Sequence, residues 1–256
     1  MILLSWLQPA KLKMNKKRIL IVTNLITIGL LFFVVFKEKY PQRIITKFSY
    51  QDTPVYDFQN NRQYNKEVGL FQIYKKKGNV VMLGNSITYR CDWNELLNRN
   101  DIINRGIDSD ITEGFLNRIE YVINVEPKIC FIMGGVNDIL QRIDPFIINS
   151  NLEKISKTLI KNNIEPLLFS ILYVAEDFPN FKRINIKIKE TNLLISQSCN
   201  KNKIEYINLN EKLKNKGVLL KDYSFDGIHL TNLAYMKWGE IIDPIIERKL
   251  EIKAIK

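Results

Sequence analysis

Two places in this 256-residue chain put side chains of suitable type within reach of shared chemistry. The first is Val80-Val81-Met82-Leu83-Gly84-Asn85-Ser86-Ile87-Thr88, a hydrophobic run that ends in Gly-Asn-Ser. If the run is a strand and the serine opens a helix, the Ser86 hydroxyl stands at the sheet edge. Its backbone N–H then lies at a helix N-terminus, where an oxyanion is welcome. A plain helix cap would use the same residues, since Asn and Ser are favoured there. The second place is Asp226-Gly227-Ile228-His229, which holds the only histidine of the chain. A carboxylate three residues before a histidine, across a tight turn, can accept the imidazole Nδ1–H and leave Nε2 free to take a proton from a serine. Together the two places could support nucleophilic catalysis by a hydroxyl.

Two further segments could serve a developing negative charge. They are Asn104-Arg105-Gly106 and Gly134-Gly135-Val136-Asn137-Asp138. Glycine lets a backbone N–H approach an oxyanion closely, and an Asn side-chain amide can donate to one. Taken alone, either segment reads first as an ordinary turn. The three cysteines, Cys91, Cys130 and Cys199, are too scattered for a disulfide framework, and a single histidine allows no Cys/His zinc pattern. Cys130 lies in an apolar run and reads as a small buried hydrophobe, as Cys91 can too.

The elements that must position these residues alternate. Short β-like runs at Val80–Leu83, Ile102–Asn104, Ile129–Met133, Pro166–Ile171 and Ile204–Ile207 are each followed by a helical pattern. The helical stretches are Ser86–Leu97, Ile111–Val125, Pro145–Asn162, Phe181–Asn200 and, after a loop, Thr231–Leu250. That order predicts parallel βαβ units and a three-layer α/β/α domain around a five-stranded parallel sheet. In such sheets ligands sit outside the carboxyl ends of the strands. The rule selects Asn85-Ser86, Gly106, Asn137-Asp138, the Tyr173 region and whatever follows the last strand.

In the order Gly-x-Ser, Gly, Gly-x-Asn-Asp and Asp-x-x-His, the chain resembles the SGNH (GDSL-type) hydrolases over roughly residues 79–245. Supporting stretches are Asp92–Leu96, Asn104–Thr112 and Gly227–Trp238. The resemblance is strongest to the branch of the platelet-activating-factor acetylhydrolase catalytic subunits and to bacterial acylhydrolases with a GNSIT block. It implies Ser86 as nucleophile, His229 as base and Asp226 as its orienter. It also implies an oxyanion hole made of the backbone N–H groups of Ser86 and Gly106 and the side chain of Asn137. Asn85 stands where the family more commonly has Asp. The implied activity is hydrolysis of a small acyl ester, such as an acetyl ester of a carbohydrate or lipid, through an acyl-serine, with no metal or organic cofactor. An O-acyltransferase using the same site and an inactive membrane-tethered binding module are the alternatives.

The N-terminus carries a different signal. Ile19 to Phe36 runs 18 residues without a charge after Lys16, Lys17 and Arg18. At about 1.5 Å per residue this length just crosses a hydrocarbon core of ~30 Å. An uncleaved anchor at residues 19–36 is the expectation, against a cleaved signal peptide or a soluble buried helix. Basic residues flank both sides almost equally. A short basic tail before a first helix usually stays cytoplasmic, which would put the catalytic domain outside the cytoplasm, in the periplasm or at the cell surface. Met14 looks a more natural start than Met1. The organisation expected is a basic tail and anchor over 1–40, a lead-in over 41–78 that packs on the domain, and a hydrolase domain over 79–256. Residues 1–40 supply +6 of the net charge of +11. The remaining +5 is spread out rather than clustered with aromatics, so no nucleic-acid partner is expected. Nothing in the sequence sets an oligomeric state.

Overall fold

The computed structural model describes residues 16–37 and 57–254. The chain divides into two units, residues 1–55 and residues 56–256. In the first, Lys16–Lys37 forms a 22-residue helix. Among the described residues, however, no helix is long and apolar enough to cross a membrane. Several side chains of the 19–36 segment, Val22, Leu31 and Phe32 among them, lie outside the described residues. The fold therefore does not establish the expected span, and the expected start at Met14 and most of the lead-in before Asp57 also fall outside the description.

The second unit is built on five parallel strands, β1 (Val80–Gly84), β2 (Ile102–Gly106), β3 (Ile129–Met133), β4 (Glu165–Phe169) and β5 (Glu205–Ile207). Their spatial order is β2-β1-β3-β4-β5. The chain leaves β1 towards one side and returns on the other for β3, so a topological switch point opens beside β1, where ligands bind in such sheets. Register puts the strand ends level, with Gly84 opposite both Gly106 and Met133. The segments after β1, β2 and β3 thus emerge side by side.

All five residues of β1 and of β3 are buried, as a sheet covered on both faces requires. Helices supply the covers through spaced apolar stripes. In Pro145–Lys161 the stripe is Ile148, Leu152, Ile155 and Leu159, and in Asn232–Ala254 it is Ala234, Trp238, Ile242 and Ile246, all buried. At ~1.5–3 kcal/mol per large aliphatic side chain, such a face outweighs the modest propensity of these sequences. Trp238 also meets Trp93 and Phe169 edge-on, at 4.8 and 5.2 Å between ring centroids.

Three differences from the sequence reading have local causes. The expected helix Ser86–Leu97 is two short ones, Ser86–Tyr89 and Trp93–Leu96. Asn104 Nδ2 donates to the carbonyls of Thr88, Tyr89 and Cys91, ending the first, and the Asp92 carboxylate caps the second. The stretch expected as one helix over Ile111–Val125 likewise breaks into Thr112–Asn117 and Glu120–Ile123. The aperiodic lead-in contains a helix, Arg62–Ile73, started by the Asn61 side chain. It buries Tyr64 and Phe71 against Ile107 and Ile111, just past the edge strand β2, and the Arg105 guanidinium of that strand lies over the Phe71 ring.

Candidate active site

Ser86 follows β1 after the single residue Asn85. Asn85 caps the short helix by accepting the Ile87 N–H at 3.1 Å, and Tyr235 Oη ties the same turn to the last helix by donating to the Ile87 carbonyl at 2.7 Å. As the first residue of a helix, Ser86 has no intrahelical acceptor for its N–H. Among the described residues, the buried Asn85 Nδ2 has no hydrogen-bond partner.

His229 reaches this point from the other end of the sequence. Its Nε2 lies 3.1 Å from Ser86 Oγ, and its Nδ1 lies 2.6 Å from Asp226 Oδ2. The turn between them is held from within: Asp226 Oδ1 accepts the N–H groups of Ile228 at 3.1 Å and His229 at 2.7 Å. Gly227 adopts φ +87°, and a Cβ there would come 2.9 Å from Phe178. Glycine is thus required for both conformation and space. Ala175 N–H binds the Gly227 carbonyl, so the loop after β4 supports the turn. Burial raises the Asp226 carboxyl, but the bonds from the His229 ring and from the backbone N–H groups of His229 and Ile228 outweigh it and hold it below its ordinary value. An ionised carboxylate beside Nδ1 selects the tautomer that leaves the Nε2 lone pair facing the serine.

Asn137 follows β3 through Gly135, which is left-handed at φ +117°. Its Nδ2 donates to the Asp110 carbonyl at 2.8 Å. An amide nitrogen carries two hydrogens, and this bond uses one of them. Gly106 departs from expectation. Its N–H donates to Asn104 Oδ1 at 2.8 Å, so this donor is already used. Gly106 serves close packing instead: a Cβ there would lie 2.3 Å from the Tyr89 nitrogen. The structure therefore gathers Ser86, Asp226 and His229, sets Asn137 after the neighbouring strand β3 with its side chain on the Asp110 carbonyl, and leaves Gly106 out as a donor.

Asp110 and Arg118, to which the motif reading gave no role, and Asp138, which it named beside Asn137 without one, adjoin these residues, the Asp110 carbonyl accepting from Asn137 Nδ2. The buried Asp110 and Arg118 form an ion pair of 2.8 Å. Burial raises the Asp110 carboxyl to about 6 against the pull of Arg118. Asp138, fully buried, accepts Thr112 N–H at 3.1 Å and Thr112 Oγ1 at 2.5 Å, and burial raises it to about 7. Of the three, only Asp138 carries a sequence signal, a charged residue inside the otherwise mainly apolar stretch Val136–Leu140. Burial pushes the nearby Cys91 thiol up to about 12, consistent with a packing role. Among the described residues no group of three or more His, Cys, Asp or Glu side chains could hold a metal ion. A groove of about 480 Å³ beside Tyr173, Tyr206 and Lys214 lies apart from Ser86 and His229.

With this geometry in place, comparison with known proteins is informative. The profile of the GDSL-like Lipase/Acylhydrolase family matches residues 82–237. A GDSL-like lipase from Bacteroides thetaiotaomicron is 29% identical, with 75% of this chain and 99% of that chain covered and a TM-score of 0.63. A Streptococcus pneumonia protein named for platelet activating factor is 22% identical, covering 86% of this chain and 98% of its own at a TM-score of 0.63. An acetyl xylan esterase shares the fold at 18% identity, with 63% and 96% covered and a TM-score of 0.55. No curated protein matches the chain. The chain belongs to the GDSL-like lipase/acylhydrolase family and is an enzyme acting on ester bonds.

Proposed function

We propose that the enzyme removes a small acyl group, such as acetyl, from a carbohydrate or lipid ester through an acyl-serine intermediate. The observation that carries this reading is the relay from Ser86 Oγ through His229 to Asp226, with contacts of 3.1 and 2.6 Å. Ser86 Oγ attacks the ester carbonyl carbon as its proton passes to His229 Nε2. The negative charge that forms on the carbonyl oxygen is met by the Ser86 N–H and the second Nδ2 hydrogen of Asn137. Collapse of this intermediate expels the alcohol, which takes the proton from His229. Water then repeats the sequence on the acyl-serine, releases the acid and restores Ser86. The choice of acetyl draws on the acetyl xylan esterase among the structures that share the fold.

Ser86→Ala tests the assignment. Removing Oγ should abolish turnover of a chromogenic acetyl ester and covalent labelling by a fluorophosphonate, while the circular dichroism spectrum stays that of wild type. Turnover near the wild-type level in this variant would remove the nucleophile from Ser86.

We further place the Lys16–Lys37 helix in a membrane, with the catalytic unit outside the cytoplasm. Support comes from the 18 uncharged residues between Ile19 and Phe36 and the basic tail before them. Extraction of the full chain from membranes by alkaline carbonate would argue against the anchor.

A further inference from the structure

The side chain at the centre of this end of the sheet is Arg118, which is completely buried. Its Nε donates to Asp110 Oδ2 at 2.8 Å, its Nη1 to the Arg105 carbonyl at 2.8 Å and its Nη2 to the Gly84 carbonyl at 3.0 Å. Each acceptor adjoins a part of the proposed site. Gly84 ends β1 two residues before Ser86, and since the peptide unit is planar, holding its carbonyl also orients the bond into Asn85. Arg105 precedes Gly106 at the end of β2. Asp110 presents its own carbonyl to Asn137 Nδ2, and that bond decides where the other amide hydrogen points.

The third strand end is reached through packing. The Arg118 guanidinium lies over the Phe115 ring at 5.1 Å. A Cβ on Gly134, just after β3, would meet that ring at 2.3 Å, so Phe115 presses directly on the backbone that leads to Asn137. Gly114 leaves room for the Asp110 carboxylate, since a Cβ there would fall 1.9 Å from Oδ1. A guanidinium is a rigid planar fork. With three of its nitrogens committed to three different segments, it over-determines their relative placement, which a flexible point-charge lysine could not.

We infer that Arg118 is a positioning residue for the oxyanion site, fixing Asn137 through Asp110 and the Ser86 turn through Gly84. The inference rests on the proposed acyl-serine reading. Its test is a double-mutant cycle on the full chain, with Arg118→Lys, Asn137→Ala and the two combined assayed on a chromogenic acetyl ester. Loss of an oxyanion donor costs about 10²–10³ in kcat; a donor that is present but poorly aimed should cost about tenfold or more, with KM within about twofold. Because one of its two routes runs through Asn137, Arg118→Lys should cost less when Asn137 is already Ala, the loss that remains being that of the Gly84 route. Equal losses in both backgrounds, a loss confined to KM, or no loss would overturn the assignment. If Arg118→Lys does not fold, Arg118→Met with Asp110→Asn, which leaves no unpaired buried charge, takes its place in the cycle under the same criteria. Failure of both to fold would make Arg118 a folding residue and likewise overturn its positioning role. Retained activity in Ser86→Ala would instead sink the acyl-serine reading, whatever the cycle gives.

Discussion

Replacing Asp226 by Asn changes one atom and should reverse the polarity of the relay. Asp226 accepts three hydrogen bonds, two backbone N–H groups on Oδ1 and the His229 ring on Oδ2. In the Asn variant the single carbonyl oxygen can keep both backbone bonds or turn to the ring. Turning would sacrifice two bonds of about 1 kcal/mol each and aim the amide hydrogens at the backbone donors, so the oxygen should stay with the backbone. Nδ2 then faces His229 Nδ1 and donates to it, which places the ring proton on Nε2. That nitrogen now donates towards Ser86 Oγ and cannot accept its proton. A tautomer error of this kind lowers kcat by about 10³–10⁴, or ~4–5.5 kcal/mol of barrier. The assay is steady-state hydrolysis of a chromogenic acetyl ester, with near-UV circular dichroism to show that the turn is intact. A folded Asp226→Asn enzyme with kcat within about tenfold of wild type would refute the orienting role. A stability signature accompanies it. The folded state holds the Asp226 carboxyl below its unfolded value, so its contribution is present above about pH 4 and is lost as pH falls through the lowered folded value. The stability gap between wild type and Asp226→Asn should therefore narrow on acidification.

The remaining predictions follow from burial and from chain organisation. Asn85→Asp should keep kcat/KM within about tenfold, because the carboxylate retains the bond to Ile87 N–H and removes a buried donor that has no acceptor; a severe loss would mean the amide itself is needed. Asp138 behaves oppositely to Asp226 in pH. Its folded value is raised to about 7, so its contribution is full below the unfolded value of about 4 and is lost as pH rises through about 7. The stability of wild type relative to Asp138→Asn should thus decline between pH 5 and 8, and a constant difference in Tm across that range would contradict the raised value. Deleting residues 1–40 should leave a folded, active protein, since the catalytic and core residues described lie beyond Asp57; aggregation without activity would show that the deleted segment belongs to the globular unit.

What could be read from the amino-acid order was local or periodic. The apolar runs 80–83 and 129–133 announce strands because a sheet covered on both faces needs unbroken hydrophobicity. The Asp226–His229 spacing announces its own hydrogen bond because the turn closes within four residues. Ser86 and Asn137 could be singled out because each lies within a few residues of a strand end, and the carboxyl ends of parallel strands share one edge. Less legible were properties that depend on what arrives from elsewhere in the chain. The break after Tyr89 is made by Asn104 from the neighbouring strand. The helix Arg62–Ile73 has a narrow apolar stripe and gains its place by burying Tyr64 and Phe71 against Ile107 and Ile111, which arrive from beyond β2. Gly106 illustrates the limit most sharply. Its position after β2 suggested an available N–H, and only the fold reveals that Asn104, two residues earlier, already occupies it. Arg118 looks like any helix arginine in the sequence, because three acceptors from three separate segments converge on it only after the strands have paired. Sequence alone determined which residue types stand at the strand ends, since that follows from local pattern. Tertiary structure decided which of their donors are free and what holds them in place, because hydrogen-bond partners compete across the whole fold and each donor hydrogen can be spent only once.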